Sequence, residues 1–551
     1  MTTKRMNYQK ITGACAMAIV LLFAGGCIDH FDNLNTPDDR LSTVNLDASN
    51  LGQALARSQH AAVAGHDYQT FQNMYADNFA QYFFTTNDDW RNDRFEDNDL
   101  WTNRNFQSLY RNTMPGLDFI VKLTEVEEMH VHNAIARVVR VYFFHRITDV
   151  WGPIPYSNYG TGETTIYYDS QEDIYLGNEA KGISGFFDEL DAAVAVFANN
   201  AGGSAFTRAD NFTTLGQVDK WWKFANSLRL RLAMRIVYAD EARAQAEAEK
   251  AIADPGGFIE SNTDNVYSLT DSDNNDSMLR RMIEWDEFRM SAAMHSLLHG
   301  YDDPRMPLYF RETVEDGVYR GTRNGIPDEH RVSAIVNPRN SHMGEYWTQN
   351  DIPFAVMRAA EVYFLRAEGD LRGWNMGGSA QNLYADGIRM SMTELEDYYP
   401  ISTAEIEAYI NNTNTPVAVP DDGIDPADHG AYNTPAISSI PVRYEVAGSF
   451  ERRLEQINTQ KWLGLYPDGM EAYNNYKRVR YPRLYPIIDS VNPDIAENEI
   501  LRRITYGSSE YNNNGAAVQQ AVSELLGGGD NNSTPVWWDK HPDGAVKKSN
   551  Q

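Results

Sequence analysis

The stretch AVMRAAEVYFLRAEGDLRGWNMGGSAQNLYADGIRMSM, residues 355–392, decides the fold of this chain. Its first half repeats apolar residues at spacings of three and four, the pattern of one helix face. That face consists of Met357, Ala360, Phe364, Ala367 and Leu371. A second apolar line of Val356, Ala359 and Tyr363 predicts a helix packed between other helices. The charged residues that this pattern leaves for water are Arg358, Glu361, Arg366 and Asp370.

The second half of this stretch predicts a partner helix. Gly373, Gly377 and Gly378 end the first helix, and Ser379 is placed to cap a second one. The second helix has its own apolar stripe, which includes Leu383. The two helices form a hairpin of roughly the length of a tetratricopeptide unit, about 34 residues.

Further helical pairs extend outward from this hairpin in both directions. They are predicted at 51–64 with 68–84, 101–123 with 125–148, 182–199 with 217–238, and 452–465 with 469–479. The sequence therefore predicts a mainly α fold, a tetratricopeptide-like scaffold of about four to five pairs in which each pair buries its apolar face against a neighbour. Two loop-rich inserts, 258–350 and 398–449, are expected to pack together on one side, and 278–299 is predicted as one helix of the first insert.

The N-terminus is typical of a leader. Residues 1–26 combine three early cations with an apolar core at 14–24, which is too short for the ~20 residues that span a bilayer. Small residues precede Cys27, an arrangement that resembles a bacterial lipobox. We therefore predict a lipoprotein signal peptide at 1–26, lipidation of Cys27, an acylated tether at 27–50 and a single domain at 51–551.

Composition narrows the class of ligand. The chain has 77 acidic and 48 basic residues, a formal net charge of −29, which argues against nucleic acid and anionic lipid surfaces as partners. Thirty-one tyrosines and eleven tryptophans are more informative, because carbohydrate-binding surfaces use aromatic faces. Most of these aromatic residues must nevertheless belong to the core.

Catalytic and metal motifs are weak. His295 and His299 have the spacing of a two-histidine metal face, yet no glutamate follows the first and leucines fill the gap. The run 271–276 begins like a calcium loop but lacks the turn glycine and the bidentate glutamate of an EF-hand. We predict no catalytic residue, no metal site and no cofactor, and leave open a structural calcium bound by another geometry.

Three blocks carry a family resemblance. MRAAEVYFLRAEGDLRG in the central hairpin, AIARVVRVYFFHRITDVWGPIPYS at 134–157 and INTQKWLGLYPDGMEAYNNYKRVRYPRL at 457–484 resemble the SusD/RagB family of nutrient-capturing surface lipoproteins. With the leader and the closing GGGDNN and VWWD, the resemblance covers nearly the whole chain in the expected order.

This resemblance implies a binding protein and not an enzyme. It implies anchoring in the outer membrane, facing outside, capture of an oligosaccharide and delivery to a SusC-like TonB-dependent barrel. Two alternatives stay open at this point: a peptide-binding member of the same family, and an α-helical glycoside hydrolase or lyase that uses paired carboxylates.

Candidate ligand-binding residues follow from loop chemistry. Sugars present C–H faces and hydroxyl edges, so a site needs exposed aromatic rings beside Asn, Asp or Arg. Three groups qualify: Asn87, Asp88, Trp90 and Arg91 in a polar loop, Trp285 with Arg289 one helical turn later, and Tyr346 with Trp347. Tryptophans on helical stripes are assigned to the core, namely Trp101, Trp221, Trp222 and Trp462.

Overall fold

The computed structural model describes residues 47–542 apart from residues 88, 271–276, 422, 429, 497 and 498. The predicted signal peptide, Cys27 and nearly all of the tether lie outside the described residues. The chain divides into two units, Met1–Leu51 and Gly52–Gln551. The described part of the first unit contains a 3-10 turn, Ala48–Asn50, which Asp47 caps.

Helices dominate the described residues. In chain order the α-helices are α1 (Leu51–Ala62), α2 (Asp99–Val126), α3 (His130–Trp151), α4 (Gln171–Leu176), α5 (Phe186–Asn199), α6 (Val218–Arg235), α7 (Glu241–Ala253), α8 (Met278–Trp285), α9 (Ala292–Gly300), α10 (Met306–Tyr309), α11 (Ser333–Arg339), α12 (Ala359–Leu371), α13 (Ala380–Thr393), α14 (Thr403–Ile410), α15 (Phe450–Leu465), α16 (Gly469–Val479) and α17 (Ser508–Gln520). Two further segments are π-helical, Tyr68–Asp77 and Ala521–Leu525.

These helices pack in the order that a scaffold of pairs requires. Helix α2 packs on α3, α3 on α5, α5 on α6, and α6 on both α7 and α12. Helix α12 then packs on α13 and α15, and α15 packs on α16, which returns to the π-helical segment Tyr68–Asp77. The prediction of a mainly α, tetratricopeptide-like scaffold is confirmed.

The central hairpin differs from its prediction in two respects. Helix α12 begins at Ala359, because Val356 and Met357 belong to a strand. Three of the four charged residues predicted to face water are buried, and Asp370 is half-buried. Glu361 accepts from Nη2 of Arg231 at 2.6 Å, and Arg366 donates from Nε to the carbonyl of Met376 at 3.0 Å. Because α6, α13 and α15 all contact α12, few positions on this helix reach solvent.

Four short strands tie the first insert to the scaffold. They are β1 (Phe83–Thr85), β2 (Val266–Ser268), β3 (Phe288–Met290) and β4 (Phe354–Met357). Strand β1 pairs antiparallel with β3, and β2 pairs antiparallel with β4. The β2–β4 pair lies at the two ends of the insert, and β4 leads directly into α12.

The single helix predicted at 278–299 is wrong. The segment forms α8, β3 and α9, because Asp286 adopts a left-handed backbone conformation (φ 62°) that ends α8. Trp285 therefore closes a helix and Arg289 lies in a strand, so the two are not one helical turn apart.

The two inserts contact each other, as predicted. The backbone N–H of Val417 donates to the carbonyl of Ser296 at 3.0 Å, and Nδ2 of Asn340 donates to the carbonyl of Gly423 at 2.8 Å. The four tryptophans assigned to the core are all buried. Across the described part of the chain, no helix combines the length and the apolar character needed to cross a membrane.

Candidate functional site

One carboxylate holds the polar loop after β1 against the turn between α8 and β3. Oε1 of Glu287 accepts from Nδ2 of Asn87 at 2.9 Å and from Nε1 of Trp90 at 3.0 Å. Its Oε2 accepts from Nε2 of Gln69 at 2.7 Å. These bonds form because the pairing of β1 with β3 brings the loop beside Glu287. The structure thus joins two of the predicted residues, while Asp88 lies outside the described residues.

Two tryptophans belong to this surface. Trp90 is half-buried, and its ring packs on that of Trp101 with the centroids 4.9 Å apart. Trp285 is 46% exposed, although a tryptophan is large and apolar. It is the last residue of α8 and precedes Glu287, whose carboxylate fixes Trp90, by two residues in the chain. We call Asn87, Trp90, Trp285 and Glu287 the tryptophan platform.

The two predicted arginines differ in exposure. Arg91 is exposed and its Nε lies 2.8 Å from a carboxylate oxygen of Asp328. Arg289 is buried, and its guanidinium donates to the carbonyl of Asn337 at 3.1 Å and to Asp286 at 2.6 Å. Burial lowers the pKa of Arg289 below its usual value. Arg289 therefore braces the turn under the platform, while Arg91 lies at the surface.

Tyr346 and Trp347 belong to a different place, a cavity of about 170 Å³. Trp347 is buried and donates from Nε1 to the carbonyl of Leu308 at 3.1 Å. The ring of Tyr346 meets it edge-on, with the centroids 4.9 Å apart. The residues that line this cavity include no member of the tryptophan platform. The structure therefore separates the predicted candidates into two sites.

The cavity lies where the first insert meets the scaffold. Its aromatic lining includes Tyr68 and Phe354, whose rings stack with centroids 5.0 Å apart. Tyr68 and Gln72 come from the π-helical segment, and π-helical turns are frequent at functional sites. The charged side chains of the lining are Arg146, Arg358, Glu394 and Asp468.

Both arginines of the cavity are engaged by the protein. Arg146 donates to the carbonyl of Ala62 at 2.6 Å and to Oε1 of Gln72 at 2.9 Å. Arg358 donates to the carbonyls of Leu465 and Tyr466. Although burial favours the neutral form, Glu394 and other acids nearby raise the pKa of Arg358 above its usual value. Both guanidinium groups are therefore fixed in position.

A buried carboxyl stands behind the cavity. Asp77 accepts from the backbone N–H of Gly469 at 3.0 Å and from Nε2 of Gln72 at 3.2 Å, and the same Nε2 donates to Asp468 at 3.1 Å. Burial, followed by the charge of Asp468, raises the pKa of Asp77 well above its usual value. These contacts explain the sequence DGMEAY at 468–473. Asp468 caps α16, and Gly469 lets the chain approach Asp77.

Sequence reasoning missed most of this cavity. Tyr68, Arg146 and Phe354 lie in three separate parts of the sequence, and nothing in any one of these parts marks them as neighbours. The spacing of apolar residues defines the buried faces of the helix and assigns every charged residue between them to solvent. It therefore places Arg358 there as well. The block at 457–484, which carries part of the family resemblance, contains Asp468 and was the available signal for it.

Metal-binding groups are sparse in the described part of the chain. No set of three or more His, Cys, Asp or Glu side chains there could hold a metal ion. Nδ1 of His295 accepts from the backbone N–H of Gly321 at 3.2 Å, and Nε2 of His299 lies 2.8 Å from the carbonyl of Tyr319. The run 271–276 of the calcium hypothesis lies outside the described residues.

Known proteins resemble this chain over most of its length. A chitin-binding SusD homolog from Flavobacterium johnsoniae is 33% identical, with 89% of this chain and 98% of that chain covered and a TM-score of 0.80. A SusD homolog from Bacteroides thetaiotaomicron is 32% identical, with 90% and 100% covered and a TM-score of 0.77. One from Bacteroides uniformis is 31% identical, with the same coverage and a TM-score of 0.78. A comparison with curated proteins gave no match.

A family model agrees with these structures. The model of the SusD-like family, described as SusD and RagB outer membrane lipoproteins, matches residues 33–539. The match includes the central hairpin, both inserts and all the helices of the scaffold. The chain belongs to the SusD-like family of outer membrane lipoproteins.

Proposed function

We propose that this protein is a cell-surface lipoprotein that binds an oligosaccharide on the tryptophan platform and delivers it to a SusC-like TonB-dependent barrel. The observation that carries the proposal is the exposure of Trp285, two residues before Glu287, which holds Asn87 and Trp90 in place. A ring that is nearly half exposed offers a face for the C–H surface of a sugar. Arg91 and Asn87 supply polar groups for its hydroxyl edges.

Membership in the family supports this proposal, since its members are outer membrane lipoproteins and one similar structure is of a chitin-binding homolog. We propose binding without catalysis. The carboxylate of Glu287 accepts three hydrogen bonds from side chains of its own protein. The buried carboxyl of Asp77 is likewise engaged by Gln72 and Gly469. Neither is available as a free acid or base.

Trp285→Ala should weaken oligosaccharide binding about 5- to 30-fold. The estimate takes stacking as worth ~1–2 kcal/mol per ring, by analogy with the ~1–3 kcal/mol of base stacking. Because nearly half of Trp285 is exposed, we expect its removal to leave the melting temperature nearly unchanged. The measurement is calorimetry with chito-oligosaccharides first, followed by a glycan array and a peptide panel.

Tyr167→Ala is the matched control, because Tyr167 is 50% exposed and lies outside the platform. It should leave affinity unchanged. Equal affinity of the wild-type protein and Trp285→Ala for every bound glycan would place the site elsewhere. Binding of peptides alone would support the peptide-binding alternative. New reducing ends after incubation would contradict the assignment as a non-enzyme.

Cys27→Ala should release the protein from the membrane. The prediction rests on the lipobox-like residues before Cys27, and stable anchoring requires two or more acyl chains. Fractionation measures the release, and acyl labelling that persists in the variant would contradict it. The wild-type protein, extracted from outer membranes in detergent, should copurify with an equimolar barrel, and recovery as a clean monomer would count against that partner.

A further inference from the structure

The cavity has the dimensions of a site for one ring. Its volume is about 170 Å³, and an engineered protein cavity of about 150 Å³ binds benzene. Its lining passes from buried residues such as Gln72 and Phe354 to partly exposed ones such as Asn262, Pro353 and Leu395. The cavity therefore opens toward solvent on the side of Leu395, which leaves room for substituents of a six-membered ring.

The walls of the cavity combine aromatic rings with fixed charges that cancel. Tyr68 and Phe354 are stacked with each other, and Tyr346 and Trp347 are packed edge to face. Two guanidinium groups are balanced by two carboxylates, one each from Glu394 and Asp468. Both arginines also donate to groups of the protein, Arg146 to Ala62 and Gln72 and Arg358 to Leu465 and Tyr466.

The polar atoms that remain free are mainly acceptors. Tyr68 is only 5% exposed, yet its hydroxyl has no hydrogen-bond partner among the described residues. Oε1 of Glu394 accepts from the hydroxyl of Tyr267 at 2.7 Å, whereas its Oε2 has no partner in the described chain. The same holds for Oδ2 of Asp468, whose Oδ1 accepts from Gln72 and Glu471. These groups line the cavity, so the cavity is matched to a ligand that supplies hydroxyl groups to them.

We propose that this cavity is a second binding site, which holds one uncharged sugar ring as a monosaccharide or as the end residue of a chain. The aromatic walls contact the C–H faces of the ring, and Tyr68, Glu394 and Asp468 bind its hydroxyls. The site shares no residue with the tryptophan platform. This proposal rests on the proposed function in one respect, namely that the ligand is a sugar. The two sites are tested separately.

Tyr68→Phe tests the proposal on the full mature chain. The probes are D-glucose and N-acetyl-D-glucosamine, titrated to about 20 mM by ligand-observed NMR, because ligands of this size bind in the millimolar range. The affinity for the sugar that binds should fall about 2- to 10-fold, the loss expected for one hydrogen bond. The melting temperature should stay nearly equal, because the hydroxyl faces the cavity and makes no hydrogen bond within the described part of the chain.

Two further variants distinguish binding in the cavity from binding on the tryptophan platform. Tyr346→Ala, which removes a partly exposed wall of the cavity, should also weaken monosaccharide binding. Trp285→Ala should leave it unchanged, since that ring lies on the platform. The proposal is overturned if neither monosaccharide binds or if Tyr68→Phe binds the sugar as well as wild type. It is also overturned if glycine, a probe of the peptide-binding alternative, competes with the sugar. Loss of oligosaccharide binding in Trp285→Ala bears on the platform alone.

Discussion

Replacing Glu368 by glutamine is expected to lower the free energy of unfolding by about 3–5 kcal/mol, the usual result of breaking a buried ion pair. Glu368 lies in α12 and is fully buried. Its carboxylate accepts from both Nη atoms of Arg478 and, at 2.8 Å, from Nη2 of Arg372. Although burial alone raises the pKa of Glu368, the two guanidinium groups hold it well below its usual value. The variant leaves two buried cations without their anion.

Chemical denaturation of the two proteins at pH 7 measures this loss. The matched control is Glu396→Gln, which makes the same chemical change at an exposed position after α13. It should change the free energy of unfolding by less than about 0.5 kcal/mol. A loss below about 1 kcal/mol in Glu368→Gln would show that the central hairpin does not depend on this ion pair.

Acidification from pH 7 to pH 4 should destabilise the wild-type protein by about 3 kcal/mol more than His295→Asn. Burial, with smaller contributions from His299 and Arg320, lowers the pKa of His295 from 6.5 to about 3. The unfolded chain therefore binds a proton below pH 6.5, and the folded protein does so only near pH 3. Stability contributed by neutral His295 is present above pH 6.5 and is lost as the pH falls toward 3.

Asparagine is the test residue because its side-chain oxygen can accept from the N–H of Gly321, as Nδ1 of His295 does at 3.2 Å. Denaturant midpoints at pH 7 and pH 4 give the loss of stability on acidification for the wild-type protein and for the variant. His60, whose pKa burial lowers to about 4, contributes equally to both proteins and cancels. Equal losses in wild type and variant would contradict the prediction.

The hydrophobic period was sufficient to predict the scaffold. Helices that bury a face against a neighbour need apolar residues at fixed spacings, and those spacings located α12, α13, α15 and α16 within a few residues. The spacing of apolar residues predicted the wrong exposure where charged side chains are paired inside the protein. Arg358 and Glu361 follow a polar pattern but are buried, because carbonyls and Arg231 lie opposite them.

Part of the candidate site could be predicted from the sequence, because some of its residues are neighbours along the chain. Loop chemistry identified Asn87, Trp90 and Trp285, since polar residues around a tryptophan are visible along the sequence. Glu287, the common partner of Asn87 and Trp90, was not predicted, because its position depends on the pairing of β1 with β3 between segments about two hundred residues apart. The cavity depends on still more distant contacts, such as that of Tyr68 with Phe354.

The pairing of β2 with β4 has a consequence for how this protein can be re-engineered. The two strands bring residues 266 and 357 side by side, so the segment between them begins and ends at one place on the scaffold. Insertions and exchanges are best tolerated where the joined ends are already close together. Residues 269–353 can therefore be treated as an exchangeable cassette, to be replaced by the corresponding segment of a relative while α12 keeps its position. Such chimaeras would measure how much of the choice of ligand resides in the segment that carries Trp285 and Glu287, on a constant helical frame.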